Sequence, residues 1–245
     1  PEGEREKKYK VTHHPIAIEQ NNATGRVAYL QTGLSQSVAD ARGVSLAEYI
    51  HAMYFYLRRA KAREVLMIGC GGGTLATMLH RAGARVSVVD IDPAAIEIAR
   101  RYFHLPDAVR CHIGDGRAFL RRDPRRYDAI VLDAYAGGAL PRQFAAKGFF
   151  DSVKAHLKPR KGLFLVNLLT ADDADRRADR IAKLMGRTWP QVRLLDAPGW
   201  DDRNTVALAG AVKALPRPRL LLKPQRCARQ IAAGLKTLDF REPRP

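Results

Sequence analysis

Five short apolar runs divide residues 64–168 into a repeating pattern. They are EVLMIG (64–69), RVSVVD (85–90), AVRCHI (108–113), YDAIVLD (127–133) and GLFLVNL (162–168). Each has the length of a strand, and EVLMIG is of the type buried on both faces. Segments of helical character separate them. A strand that rejoins its sheet in parallel needs a long crossover, and a helix supplies it. The alternation predicts an α/β fold with a mostly parallel sheet and helices on both faces. The pattern then changes. QVRLLDA (191–197) and NTVALAGA (204–211) bracket PGWDDR and predict a closing C-terminal antiparallel hairpin.

The segments flanking this body are smaller. PIAIEQ (15–20) and RVAYLQ (26–31) surround the turn-rich NNATG, and SQSVAD (35–40) extends the hairpin. A β region of this size holds no core alone and must lean on the α/β body. Ser45-Leu46-Ala47-Glu48 has the form of a capping box, which predicts a helix from Ser45 to about Arg59. Further helices are predicted at 143–157, at 171–185 and, amphipathic, near 224–236. The chain thus divides into a small N-terminal β region (1–44), an α/β body (45–211) and a Pro/Arg-rich tail with one helix (212–245).

Gly69-Cys70-Gly71-Gly72-Gly73 closes the first buried strand and opens a helix. Glycines let backbone approach a ligand, and helix N–H groups point at it. Three acids share that geometry. Asp90 ends the second strand and can accept two ribose hydroxyls. Asp115 ends the third, placed to touch an adenine. Asp133 ends the fourth. Carboxyl ends of strands are where open α/β sheets bind ligands, so the body reads as a Rossmann-like nucleoside-binding domain. A nicotinamide dinucleotide fits poorly, because G-x-G-x-x-G counted from Gly69 puts Thr74 at its sixth position. Asp92, before Pro93, reads as a helix N-cap, and Cys70 as a small packing residue.

Charge supplies a different clue. Lys+Arg number 42 against 25 Asp+Glu, a formal +17. Nine of those cations and two acids lie in residues 211–245, so the tail carries +7 and the rest is dispersed. Such a balance offers a nucleic acid a contact through the tail. No zinc finger, helix-turn-helix or RNA-binding aromatic signature accompanies it, so a nucleic-acid partner is not favoured. The 3 cysteines have no metal-like spacing and the histidines no metal pairing, so no metal is expected. No apolar run approaches the roughly 20 residues of a membrane helix. The charged start PEGEREKKYK lacks an apolar signal, and the reading is cytoplasmic.

VLMIGCGGGTL, VVDIDP, GDGRAFL and YDAIVLDAYAGGALP resemble motifs of the spermidine synthase (polyamine aminopropyltransferase) family, within the class I S-adenosylmethionine-dependent methyltransferase fold. The resemblance runs from about His13 to Ala211 and includes the N-terminal β region. LQTGLSQS is similar to the family's LDGVxQ stretch and puts Gln36 on its glutamine. LAEYIHAM puts Tyr49 on its active-site tyrosine. The resemblance implies decarboxylated S-adenosylmethionine or S-adenosylmethionine as co-substrate, an amine acceptor and a homodimer. It implies that Asp90 binds ribose and Asp115 adenine, flanked by Ile91 and Gly116. It sets Gly69, Cys70, Gly71 and Gly73 beside the nucleoside. Asp133 matches the family's first catalytic aspartate, which holds and deprotonates the attacking amine.

The match has gaps. The loop's G-G-G-D-G acid is Gly72 here. The second aspartate after the fourth strand is Ala136. The helix pattern Y-[QH]-E is Tyr49-Ile50-His51, without its glutamate, and the early Y-Q pair is His13-His14. A diamine is doubly charged, and losing even one buried partner costs about 3–5 kcal/mol. Either the acceptor differs or other acids serve, with Asp201 and Asp202 beside Trp200 as candidates. Trp200 could stack on a substrate or sulfonium, and Tyr135 could form a pocket wall.

Attack on the sulfonium's propyl carbon moves aminopropyl, and attack on its methyl moves methyl; positioning of the nucleophile decides. The amine must be neutral to attack, which makes Asp133 the candidate base and Tyr49 its orienting partner. Three readings result. The first is a spermidine-synthase-like transferase moving aminopropyl to an amine. The second is a methyltransferase of a small molecule or nucleic acid. The third is a catalytically silent nucleoside-binding protein.

Overall fold

The computed structural model describes residues 7–9, 15–135 and 138–244. His13, His14 and Ala136 lie outside them.

A four-stranded antiparallel sheet comes first: β1 (Lys7–Tyr9), β2 (Ile16–Asn21), β3 (Arg26–Gln31) and β4 (Leu34–Ala39), in that spatial order. The sequence pattern had no signal for β1. The sheet does lean on the α/β body. Ile16, Ile18, Val27 and Tyr29 pack with Ala94, Ile98 and Phe103 of a later helix as one apolar cluster.

Helix α1 (Glu48–Arg59) begins at Glu48, not at Ser45. The Ser45 backbone is bridged antiparallel to Ala39, and Leu46 N–H donates to the Val38 carbonyl at 2.9 Å. Those groups extend the β region and cannot open a helix. The Ser45 hydroxyl accepts from Ala47 N–H instead of capping.

The body then alternates as predicted: β5 (Glu64–Ile68), α2 (Thr74–Arg81), β6 (Arg85–Asp90), α3 (Pro93–Phe103), β7 (Arg110–Ile113), α4 (Gly116–Arg122) and β8 (Ala129–Leu132). After β8 the helix expected over 143–157 is split into a 3-10 turn (Arg142–Phe144) and α5 (Lys147–His156). Strand β9 (Leu163–Thr170) comes next. Helix α6 (Arg177–Gly186) is shorter than the predicted 171–185. Asp172 accepts from Ala174 N–H and Asp175 N–H, and Asp175 from Ala171 N–H and Arg177 N–H. Aspartates that bind backbone locally favour turns over helix. Strands β10 (Val192–Asp196) and β11 (Arg203–Gly210) form the closing hairpin.

The tail holds α7 (Ala228–Thr237) and an unpredicted strand, β12 (Asp239–Arg241). β12 pairs antiparallel with β10, so residues 212–244 extend the main sheet. Its order is β12-β10-β11-β9-β8-β5-β6-β7, with β9-β8-β5-β6-β7 parallel. Alternating residues feed opposite faces, the period of a strand. Val65 and Met67 join α1, α2, α3 and α7, while Leu66 and Ile68 join α4, α5 and α6. Among the described residues no helix is long and apolar enough to cross a membrane.

Ion pairs bind the tail. Asp196 is fully buried and accepts from Arg203 Nε at 2.7 Å, Arg241 Nε at 2.6 Å and the Thr205 hydroxyl at 2.9 Å. Burial alone would raise its pKa, but the two guanidiniums and the hydroxyl bring it down to about 2. Arg241 also holds Asp179.

Candidate active site

The order of the parallel strands reverses between β5 and β8, and open α/β sheets bind ligands at such a point. A cavity of about 1220 Å³ lies there. Its walls come from the carboxyl ends of β5 to β9 and from β3 and β4 of the small sheet.

The glycine loop forms the floor. Gly69 has φ +97° and its N–H donates to the Val89 carbonyl at 2.9 Å. Cys70 N–H donates to Asp90 Oδ2 at 2.7 Å, and Asp92 N–H to Asp90 Oδ1 at 2.9 Å. Each Asp90 oxygen therefore holds one amide and keeps acceptor capacity for a vicinal diol. Burial pushes the Asp90 pKa up, and the amide bonds from Asp92 and Cys70 pull against it. Gly71, Ile91, Asp115 and Gly116 also line the cavity. Asp115 Oδ1 caps α4 through Ala118 N–H at 2.8 Å; among the described residues its other oxygen has no protein hydrogen bond. Asp92 caps α3, as predicted.

Asp133 stands at the centre of the row. Asn167 Nδ2 donates to its Oδ1 at 2.8 Å, and Asn204 Nδ2 donates to Asn167 Oδ1 at 3.0 Å. Burial raises the Asp133 pKa; the bonds from Asn167 and from the Tyr49 hydroxyl lower it less than burial raises it. Tyr49 is pushed far above its ordinary range, first by burial and then by the Asp133 charge. A carboxylate of raised basicity with oriented neighbours suits proton abstraction. Tyr135 lines the same end, its hydroxyl buried without a well-formed hydrogen bond.

Two sequence candidates stand apart. Trp200 is 63% exposed at the β10–β11 turn and is not on the cavity wall. The turn projects it outward, while Arg203 of the same hairpin bonds the Trp200 carbonyl. Gly73, at φ +66°, is the N-cap of α2 and packs against Leu105 and Ala99 behind the wall. Of the acidic pair beside Trp200, Asp202 reaches the cavity. Gln36 lines it as well. His51 faces the other way, buried, its Nε2 at 2.8 Å from the Ser45 carbonyl.

Gly72 is shaped by its neighbours. Its N–H donates to Ser37 Oγ at 2.8 Å. A Cβ there would lie 2.8 Å from Ser37 Cβ and 2.9 Å from the Phe103 ring. The missing acid thus has no room on this backbone.

Sequence reasoning passed over Ser37, Asn167, Asn204, Arg142 and Arg177. Asn167 left a readable trace, as the one polar side chain inside GLFLVNL. Arg142 and Arg177 did not, since arginines are common throughout the chain. Both line the cavity at the Asp133 end, where Arg177 is paired with Asp175.

The comparisons with known proteins fit this geometry. A family model described as a methyltransferase domain matches residues 65–160. The chain is 33% identical over 147 residues to the eEF1A lysine and N-terminal methyltransferase homolog of Drosophila melanogaster, covering 55% of this chain and 21% of that protein. It is 32% identical over 153 residues to a probable polyamine aminopropyl transferase of Bifidobacterium longum, covering 60% of this chain and 34% of that one. The chain thus spans about a fifth to a third of these relatives' lengths. A probable spermidine synthase from Corynebacterium glutamicum superposes with TM-score 0.76 at 18% identity, over 97% of this chain and 90% of the other. The fold is that of the spermidine synthases, a form of the Rossmann-like methyltransferase fold. The chain is similar in sequence to polyamine aminopropyltransferases and to methyltransferases of that fold.

Proposed function

We propose that this chain is a transferase that takes a group from an S-adenosyl sulfonium donor and delivers it to an amine, with aminopropyl transfer from decarboxylated S-adenosylmethionine as the first reading. The observation that carries it is Asp133, held by Asn167 and Tyr49, in one row of strand ends with the glycine loop and Asp90. The donor's nucleoside would lie on that loop with its ribose on Asp90 and its adenine beside Asp115. A neutral amine beside Asp133 attacks the carbon attached to sulfur. The N–C bond forms, the C–S bond breaks to leave a neutral thioether, and the amine's extra proton passes to the Asp133 carboxylate. Tyr49 and Asn167 hold that carboxylate in place.

The small sheet favours aminopropyl transfer, because β4 brings Gln36 and Ser37 to the cavity wall. A second reading, methylation, is favoured by Gly72. A decarboxylated donor ends in an ammonium that needs a carboxylate, and that position has neither an acid nor space for one. The acceptor end also disfavours a diamine. Arg142 lines it and, among the described residues, has no ion-pair partner, and a cation repels a dication. A monoamine fits better.

Thermal shifts with methylthioadenosine, S-adenosylmethionine and its decarboxylated form test the donor. One-site binding at 100 times Kd stabilises by about 2.7 kcal/mol. Mass spectrometry of amines incubated with each donor then separates methyl from aminopropyl products. No shift with any of the three would overturn both enzyme readings.

A further inference from the structure

The cavity occupies one edge of the parallel sheet; the opposite edge carries much of the charge. Strands β5, β6, β7, β8 and β9 run parallel, so their amino ends share one edge with the carboxyl ends of the crossover helices. Backbone bonds trace that edge as one continuous line. Arg85 N–H donates to the Arg63 carbonyl at 2.7 Å, Asp128 N–H to the Glu64 carbonyl at 2.8 Å, and Leu163 N–H to the Asp128 carbonyl at 3.0 Å.

Cations crowd this line. Arg59, Arg121 and Arg122 sit in last helical turns, where the helix dipole favours them. That explanation does not reach Lys61, Arg63, Arg110, Arg160 and Lys161, which lie in loops or at a strand start. All eight are exposed, and among the described residues none makes an ion pair, side-chain hydrogen bond or ring contact. The acids of this edge do not offset them, because each is already engaged. Glu64 pairs with Arg85, Asp128 with Lys158, Asp123 with Arg125 and Asp107 with Arg100.

We propose that this edge is a docking surface for the sugar–phosphate backbone of a nucleic acid, bound without base readout. Three observations select that occupant. Arginine dominates the unpaired set, and its planar fork suits phosphate. Among the described residues, the exposed large apolar side chains Leu34, Ile91, Ile113 and Trp200 lie toward the cavity side and Leu221 lies in the tail, so the line of cations itself has no wedge for a bilayer and no platform for stacked bases. Five strands at about 4.8 Å spacing span roughly 19 Å, about five phosphate repeats of one strand. The surface adjoins the start of the tail, where Ala211 N–H donates to the Gly162 carbonyl at 3.0 Å, and lies a strand length, about 15–20 Å, from the cavity.

Fluorescence anisotropy of the full chain with a labelled duplex of arbitrary sequence tests this. If about five phosphates are contacted, affinity should fall several hundred-fold between roughly 50 and 200 mM salt. Arg63→Glu, Arg110→Glu, Arg122→Glu and Arg160→Glu together should weaken binding at least about a hundred-fold at the lower salt. The same four changed to Gln should flatten the log–log salt slope by about 3–4 and keep the protein folded even where the Glu set does not. Arg226→Glu with Arg229→Glu in the tail should leave binding as it was. The proposal falls if the unmodified chain does not bind the duplex, if the Gln set leaves the slope unchanged, if the tail variant alone abolishes binding, or if phosphatidylglycerol vesicles bind more tightly than the duplex.

Discussion

The backbones of Gly69 and Asp133 lie against each other. Asp133 N–H donates to the Ile68 carbonyl at 2.8 Å. A Cβ on Gly69 would stand 2.5 Å from the Asp133 carbonyl carbon and 2.9 Å from Ala134 N. The nucleoside loop and the candidate base therefore share one rigid joint, where β5 meets β8. Gly69→Ala would force both a collision and a side chain at φ +97°. The expected outcome is a loss of at least about 2 kcal/mol in denaturant unfolding, with methylthioadenosine binding abolished. A variant that binds the nucleoside normally would separate the loop from the base.

Asp133→Asn should trade activity for stability. The folded carboxyl has a raised pKa because it is buried. Its stability contribution is fully present below the unfolded value near 3.9 and is lost as pH rises through the folded value. At neutral pH the native state bears the full cost of a buried charge, which Asn removes. The variant should melt higher than the parent near pH 7, and the gap should close as pH falls toward about 4. Turnover should fall about 10²–10⁴-fold. Unchanged turnover would remove Asp133 from the mechanism.

Restoring an acid at the loop should not restore a diamine enzyme. Gly72→Asp would press its Cβ on Ser37 and Phe103. A loss of about 1–3 kcal/mol is expected, with no gain in affinity for decarboxylated S-adenosylmethionine over S-adenosylmethionine. Calorimetry with both donors checks this. A clear gain for the decarboxylated form would show that the loop can move to accept the acid.

The tail should prove necessary to the fold. Arg241→Met leaves buried Asp196 with Arg203 as its remaining cation. Breaking a buried pair typically costs about 3–5 kcal/mol, and the surviving partner should bring this to about 2–3. The pH sense is fixed by the depressed Asp196 pKa of about 2. Its contribution is present above the unfolded value near 3.9 and disappears as pH falls through about 2. The difference between parent and variant should thus shrink in acid, which melting curves from pH 7 downward would show.

Much of this molecule could be read from its sequence because the signals were periodic. The five runs became β5 to β9 within a residue or two; β5, β6, β8 and β9 are buried on both faces and admit few other residue types, while β7 is a part-exposed rim strand. The acids ending them line the cavity for the same reason, being polar residues where an apolar run stops. Local helix signals failed where other hydrogen bonds, distant or local, claimed the same backbone. Ser45 satisfied a capping pattern, but Ala39 and Val38 claimed its neighbourhood first. Residues 171–176 had helical composition, yet Asp172 and Asp175 folded the backbone onto themselves. β12 was invisible because DFR is too short to show alternation and exists through its pairing with β10. At the site, Asn167 was legible as an intruder in an apolar strand. Arg142 was not, because only the fold reveals which arginine faces the cavity.

Neither rim of the eight-stranded sheet presents a long strand. β7 is 4 residues and β12 is 3. Arginine stands on both, as exposed Arg110 and as Arg241. An open rim is a template on which another chain can add, and shortness with fixed charge is how soluble proteins deny it. Without β12 that rim would be the longer β10, with Leu194 and Leu195 along it. The strand that sequence periodicity could not detect therefore serves as the molecule's guard against self-association through its own hydrogen bonds.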